Sequence, residues 1–329
     1  MWPNVLQMLL SLMLILICCE LFTNSVEWLG KRLKVGDGVV GSLFSAVGTC
    51  LPETMVPIIA ILFFGREDSI DIGIGAIVGA PFMLSTLAFF VTGISVVIFF
   101  AKRKSGLAMN INSDLVNRDI SFFVAAYSLG IASSFISVHI IKTAIAVCLI
   151  CIYIYYILLT VRQDKIQQAD IDELYFSKLF QVKPRLFIIA IQIFAALMGI
   201  ILGAQLFVVK IEAISALFGI PAIVLSLVIT PIATELPEKF NSIIWISKNR
   251  DSLALGNITG AMVFQSCIPV SIGLLTTDWE LNTNAVVSAI IAVMSASVVF
   301  FWTDKKKSLN PIPLIMGGAF YILFIVTLF

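Results

Sequence analysis

The sequence predicts an all-α membrane protein of ten transmembrane helices, arranged as two inverted-topology repeats of five. Three observations carry that prediction: a composition too apolar for water, ten apolar stretches long enough to cross a bilayer, and a short signature that recurs at constant spacing in both halves. Hydrophobic residues make up 60% of the chain and charged residues 12%, with a mean hydropathy of +1.05. Soluble domains carry roughly a quarter charged residues, so this chain belongs in a bilayer. Its formal net charge of +1 supplies neither the bulk charge nor the basic stripe that nucleic acid requires. The expected surroundings are lipid, with no nucleic acid and no evident protein partner.

About 20 apolar residues span the roughly 30 Å of hydrocarbon in a bilayer. Stretches that meet this length or approach it lie at 5–26, 38–64, 72–101, 119–137, 139–161, 185–210, 219–247, 253–275, 284–302 and 311–328. The first has no positively charged region before it and reads as a span rather than a cleaved signal peptide. The second and seventh contain prolines, and the third and eighth are rich in glycine. The fourth and fifth meet at a short junction from Ser137 to His139. A polar stretch over 162–184 precedes the sixth, and Lys305 to Lys307 separate the ninth from the tenth.

Cytoplasmic loops collect Lys and Arg, and alternating the ten spans places seventeen of the twenty-one on one side. They include Lys31, Arg32, Lys102, Arg103, Lys104, Arg162, Lys165, Lys183, Arg185, Lys248 and Arg250. This predicts a multi-pass protein of the cell membrane with the central linker cytoplasmic and both termini outside. The halves are then residues 1–161 and 185–329, joined by the linker at 162–184. An odd number of spans per half inserts the two copies in opposite orientations, as in many secondary transporters.

The repeat is legible directly. Gly48 to Glu53 reads GTCLPE and Ala233 to Glu238 reads ATELPE, an offset of 185 residues (238 − 53). Glu20, Leu21, Phe22 and Glu27 align with Gln205, Leu206, Phe207 and Glu212 at the same offset. GAIVGA at Gly75 to Ala80 answers GNITGA at Gly256 to Ala261 at an offset of 181 (256 − 75). Three matched blocks in one order define two related halves.

Other chemistries fall away. The single histidine, His139, rules out a His-rich metal site and the HExxH helix, and reads as an exposed loop residue. Cys148 and Cys151 form a CxxC pair inside an apolar span, where a redox or metal role is not expected. The eleven aspartates fall in loops or at span ends, which leaves no intramembrane aspartyl dyad, and no GxSxG motif occurs in the spans. An enzyme is not expected.

Glu53 and Glu238 sit within the second span of each half, where an ionised carboxylate costs several kcal/mol unless compensated. Pro52 and Pro237 precede them. A helical proline offers no N–H to the carbonyl four residues back, so the carbonyls of Gly48 and Ala233 lose their donors. Such backbone is tolerated at membrane depth only where it is buried in protein or lines a polar cavity. Thr49 and Thr234 lie one helical turn before the glutamates, on the same face. Carboxylates, carbonyls and hydroxyls together make the all-oxygen ligand set that a hard cation such as Ca²⁺ takes. Glu235 is a further candidate ligand, and it and Lys239 are spaced to pair along one helix; alternatively, Lys239 snorkels to an interface or its ammonium stands where a cation would bind. Glu20, within the first span, reads either as a protonation or gating residue or as a residue near the headgroups.

With these motifs the chain resembles the sodium/calcium exchanger family, whose ten helices form two inverted halves with GTSLPE-like and GNxxGSN-like signatures. The resemblance implies that Glu53 and Glu238 are the central calcium-binding carboxylates, with Thr49 and Thr234 as companion ligands and Asn257 as the signature amide. The chain departs from the pattern at Cys50 and Glu235, which stand for Ser, at Ala76, which stands for Asn, and at Ala80-Pro81 and Ala261-Met262. Leu84 and Gln265 occupy positions that offer polar side chains in the family. The expected function is alternating-access antiport of Ca²⁺ against Na⁺ or H⁺, with the transported cation as the ligand and no cofactor. The alternative is a degenerate exchanger homologue that binds cations as a sensor or scaffold without flux.

Overall fold

Backbone groups in hydrocarbon must be paired within the chain, and nearly all of the described chain is helical. The computed structural model describes residues 2–32, 50–65, 67–163, 173–303 and 308–328. The helices are α1 (Trp2–Arg32), α2 (Leu51–Ile59), α3 (Glu67–Met83), α4 (Phe89–Phe99), α5 (Ser113–Ala132), α6 (His139–Gln163), α7 (Tyr175–Leu179), α8 (Leu186–Phe218), α9 (Ala222–Ser247), α10 (Asp251–Thr276), α11 (Thr283–Trp302) and α12 (Ile312–Thr327). A π turn, Ala60–Phe64, extends α2, and another, Leu84–Ala88, joins α3 to α4. Two short strands, β1 (Met109–Asn110) and β2 (Ser308–Leu309), pair antiparallel.

Among the described residues, six helical segments are long and apolar enough to cross a bilayer: Pro3–Val26, Asp68–Lys102, His139–Thr160, Leu186–Phe218, Asp251–Thr276 and Thr283–Trp302. Three shorter apolar helices are Glu53–Phe64, Ala222–Ile232 and Ile312–Thr327. The chain is a multi-pass membrane protein. Several helix ends differ from the expected spans, and two have a clear local cause. α5 starts at Ser113 rather than near 119, because the Asn112 side chain caps it by accepting from the Leu115 N–H. α8 runs past 210 to Phe218, where Gly219 at φ 65° supplies the left-handed residue that closes a helix.

The longest packing lies between elements distant in sequence. α1 runs along α8, and α3 along α9; α10 packs on α5 and α6, while α11 and α12 pack on the α3–α4 rod. Two hydrophobic cores result. One joins α1, α2 and α8 with Ile72, Ala222 and Leu225. The other gathers the α3–α4 rod, α5, α6, α10, α11 and α12 with much of α9.

Polar contacts knit the two ends of the bundle. At the linker end, Asn24 and Gln192 bind each other and the backbone of Glu173, Tyr175 and Phe176, and Arg118 reaches Thr160. There Arg103 is fully buried and holds Asp251 through two hydrogen bonds of 2.6 and 2.8 Å. Its remaining donors reach the carbonyls of Gly106, Ala108 and Ile246 and the Ser105 hydroxyl. At the opposite end, Lys142 donates to the Asp278 carbonyl, Trp279 to the Gly130 carbonyl, and Ser69 to Glu212.

Candidate ion-binding site

α2 begins at Leu51, immediately after Cys50, with Pro52 in its first turn. The sequence suggests a proline within a helix interior; here it stands where its missing N–H removes no helical bond. Glu53 follows, 2% exposed. A helix start leaves N–H groups unclaimed by its own turns and concentrates positive potential there, a setting that favours a carboxylate. Thr54 turns inward as well, donating its hydroxyl to the Cys50 carbonyl at 2.6 Å. Cys50 lies in the larger core together with Tyr153 of α6 and Cys267 of α10.

The second copy of the motif is built differently. α9 passes over 233–239 as continuous helix, and Thr234 and Glu235 are buried. Thr234 donates to the Thr230 carbonyl at 3.0 Å, which leaves its oxygen lone pairs available. Thr230 in turn contacts Ser226 at 3.1 Å, and Ser226 donates to the Ile72 carbonyl of α3 at 2.7 Å. Ser226, Thr230 and Thr234 thus form a buried hydroxyl row with a four-residue step, and Glu238 is the next residue in that step. Sequence reading found only Thr234. The Ser/Thr spacing inside an apolar run was the available signal for the other two.

α10 carries Asn257 and Gln265, eight residues apart and so on one face with Ala261. Asn257 is half-buried. Gln265 is fully buried, and its amide makes no hydrogen bond to any described residue. A buried amide is costly without partners, so this side chain is a candidate ligand. On another face, Thr259 donates to Asp119 Oδ2 of α5 at 2.8 Å, while Arg118 holds Oδ1 at 3.0 Å. Asp119 is only 1% exposed. The sequence places it at a span end; the earlier start of α5 instead buries it in the second turn.

α2 packs on both α9 and α10, so the helices of Glu53, Glu235 and Gln265 meet. Gly48 and Thr49 lie outside the described residues, as do the side chains of Ala233, Glu238 and Lys239; the backbone of these three lies on α9. Glu20 is not part of this meeting. It is exposed at the linker end and accepts from the Tyr175 hydroxyl at 2.9 Å. Among the described residues, no group of three or more His, Cys, Asp or Glu could hold a metal.

α3 meets α9 through Gly75 and Gly79. A Cβ on Gly75 would overlap the Ile223 carbonyl, and one on Gly79 the Leu227 carbonyl. Close backbone approach of this kind is the packing use of small residues in membranes. It brings the GAIVGA segment against the hydroxyl row.

Fold and site together define a helical membrane protein with buried acidic and hydroxyl groups in its spans. The chain belongs to the sodium/calcium exchanger protein family, whose family model matches residues 4–162 and 188–329. It is therefore of a transporter family and not an enzyme. It is 23% identical over 321 residues to the uncharacterized membrane protein MJ0091 of Methanocaldococcus jannaschii, covering 97% of this chain and 96% of that one. It is 23% identical over 292 residues to the putative antiporter CaxA of Alkalimonas amylolytica, covering 88% and 86%. Its fold is similar to that of the H⁺/Ca²⁺ exchanger CAX, with a TM-score of 0.75 and 16% identity over 99% of this chain and 81% of that one. It is also similar to the sodium-calcium exchanger NCX_Mj, with a TM-score of 0.57 and 20% identity over 98% of each chain.

Proposed function

We propose that this protein is a secondary active antiporter that exchanges Ca²⁺ for Na⁺ or H⁺ by alternating access, through ten spans in two inverted repeats. The observation that carries the reading is Glu53, buried at the start of α2, where α2 packs on the helices bearing Glu235, Glu238 and Gln265. Glu53 and Glu238 are the central ligands, with Thr49, Thr234, Asn257 and Gln265 and the carbonyls of Gly48 and Ala233 completing an oxygen shell. The neutral ligands lost at Cys50, Ala76 and Leu84 favour H⁺ as the coupling ion, because a carboxylate accepts a proton without them.

Bound cations neutralise the glutamates, so the site crosses when loaded and not when empty and charged. The moving part is the first two helices of each half, α1, α2, α8 and α9. The smaller core unites α1, α2 and α8 and supports moving these three together, while most of α9 packs in the larger core. Among the described residues, contacts join ends that the alternation puts on one side, which supports termini on the face opposite the linker. The Lys and Arg distribution is what makes the linker face cytoplasmic.

The test is uptake of radiolabelled Ca²⁺ into proteoliposomes under an imposed Na⁺ gradient and, separately, a pH gradient. Uptake driven by one gradient and abolished in Glu53→Ala and Glu238→Ala names the coupling ion. No glutamate-dependent uptake under either gradient sinks Ca²⁺ antiport.

A further inference from the structure

The boundary between α8 and the α3–α4 rod carries a contact that ion binding does not use. Away from the linker, Ser69 in the first turn of α3 donates its hydroxyl to Oε1 of Glu212 on α8 at 2.5 Å. Ser69 is fully buried and Glu212 half-buried. Glu212 lines a cleft of about 350 Å³ with Asp68, Ser215, Ile220 and Pro221. A hydrogen bond weakens steeply with distance and angle. Movement of α8 by the rise of a single residue, about 1.5 Å, is enough to break it.

The repeat supplies a second observation. Its 185-residue offset carries Glu212 to Glu27 near the end of α1 (212 − 185), and its 181-residue offset carries Ser69 to Arg250 (69 + 181). Arg250 is the exposed residue just before α10. The carboxylate therefore recurs at the other end of the bundle, with a cation in place of the hydroxyl.

We propose that Ser69 and Glu212 form a latch that holds α8 in one of its two positions against α3, and that positions 27 and 250 of the repeat mark the equivalent place at the linker end. The proposal rests on the alternating-access reading above. Neither Ser69 nor Glu212 touches the transported ion; they are positioning residues that set the ratio of conformers.

The test uses the full-length protein, reconstituted in one orientation, with the half-saturating Ca²⁺ concentration measured from each face. A hydrogen bond to a carboxylate shifts a two-state ratio by about tenfold. Ser69→Ala should therefore weaken apparent affinity at one face and tighten it at the other, by up to about tenfold. Ser69→Thr, which keeps the hydroxyl, should match the parent protein. Hydrogen–deuterium exchange over residues 212–222 should quicken in Ser69→Ala. If Ser69→Ala does not fold, Glu212→Gln and Glu212→Ala take its place, with the alanine variant showing the larger shift. Affinities unchanged at both faces, or shifted equally, in a protein whose uptake still depends on Glu53 and Glu238 overturn the latch. Loss of glutamate dependence in the parent protein strikes the antiport reading instead; unchanged exchange over 212–222 then overturns the latch contact by itself.

Discussion

GAIVGA in α3 and GNITGA in α10 are matching motifs in the sequence, yet the structure uses them differently. In α3 the two glycines admit the backbone of α9, with the Pro231 ring also close at Gly79. In α10 the absent Cβ atoms of Gly256 and Gly260 would face only Leu115 Cδ2 and the Tyr156 hydroxyl, each at 3.5 Å. There Thr259, one of the two extra polar residues of the motif, takes over by binding Asp119. One copy holds its helix by close approach and the other by a buried hydrogen bond, so a shared small-residue pattern does not fix a shared mechanism of packing.

Thermal unfolding in detergent can break or sharpen that contrast. The largest effect is expected from Asp119→Ala, which leaves Arg118 without its carboxylate and Thr259 without its acceptor, at a cost of about 3–4 kcal/mol. Next is Gly79→Ala, which must displace the Leu227 carbonyl, a backbone atom, and should cost about 2–3 kcal/mol. Thr259→Val keeps the side-chain shape and removes one hydrogen bond to a carboxylate, for about 1.5 kcal/mol. Gly260→Ala should be neutral or raise stability by up to about 1 kcal/mol, since alanine suits a helix interior better than glycine. A loss at Gly260→Ala as large as that at Gly79→Ala would erase the distinction.

Much of the fold was legible because a span needs only length and apolarity. The ends were legible only where polarity coincided with chain reversal. Asp114, Arg118 and Asp119 made the start of α5 read as loop, although Asn112 caps the helix ahead of them. Lys210 and Glu212 likewise hid the last turns of α8. In the candidate site, the burial of Glu53 was legible because an ionisable residue inside an apolar run must be buried in protein, and the neighbouring proline marked the same turn. Ser226 and Thr230 were missed because hydroxyls bonded to their own helix look like ordinary helix residues. The Ser69–Glu212 and Thr259–Asp119 contacts join residues more than a hundred positions apart, and no local pattern specifies which distant helix will supply a partner.

The Arg103–Asp251 pair bears on the order of synthesis. Arg103 is made 148 residues before its carboxylate partner, and Asn110 and the strand at Met109–Asn110 likewise wait for Asp251 and for Ser308–Leu309. While the second half is still on the ribosome, this loop has neither its counter-charge nor its strand partner, and a buried guanidinium cannot be left so. The loop must remain hydrated until Asp251 arrives, so the first half reaches its final form only after the second has been inserted. Expressed alone, residues 1–161 would present an unfinished surface that quality-control proteases can recognise.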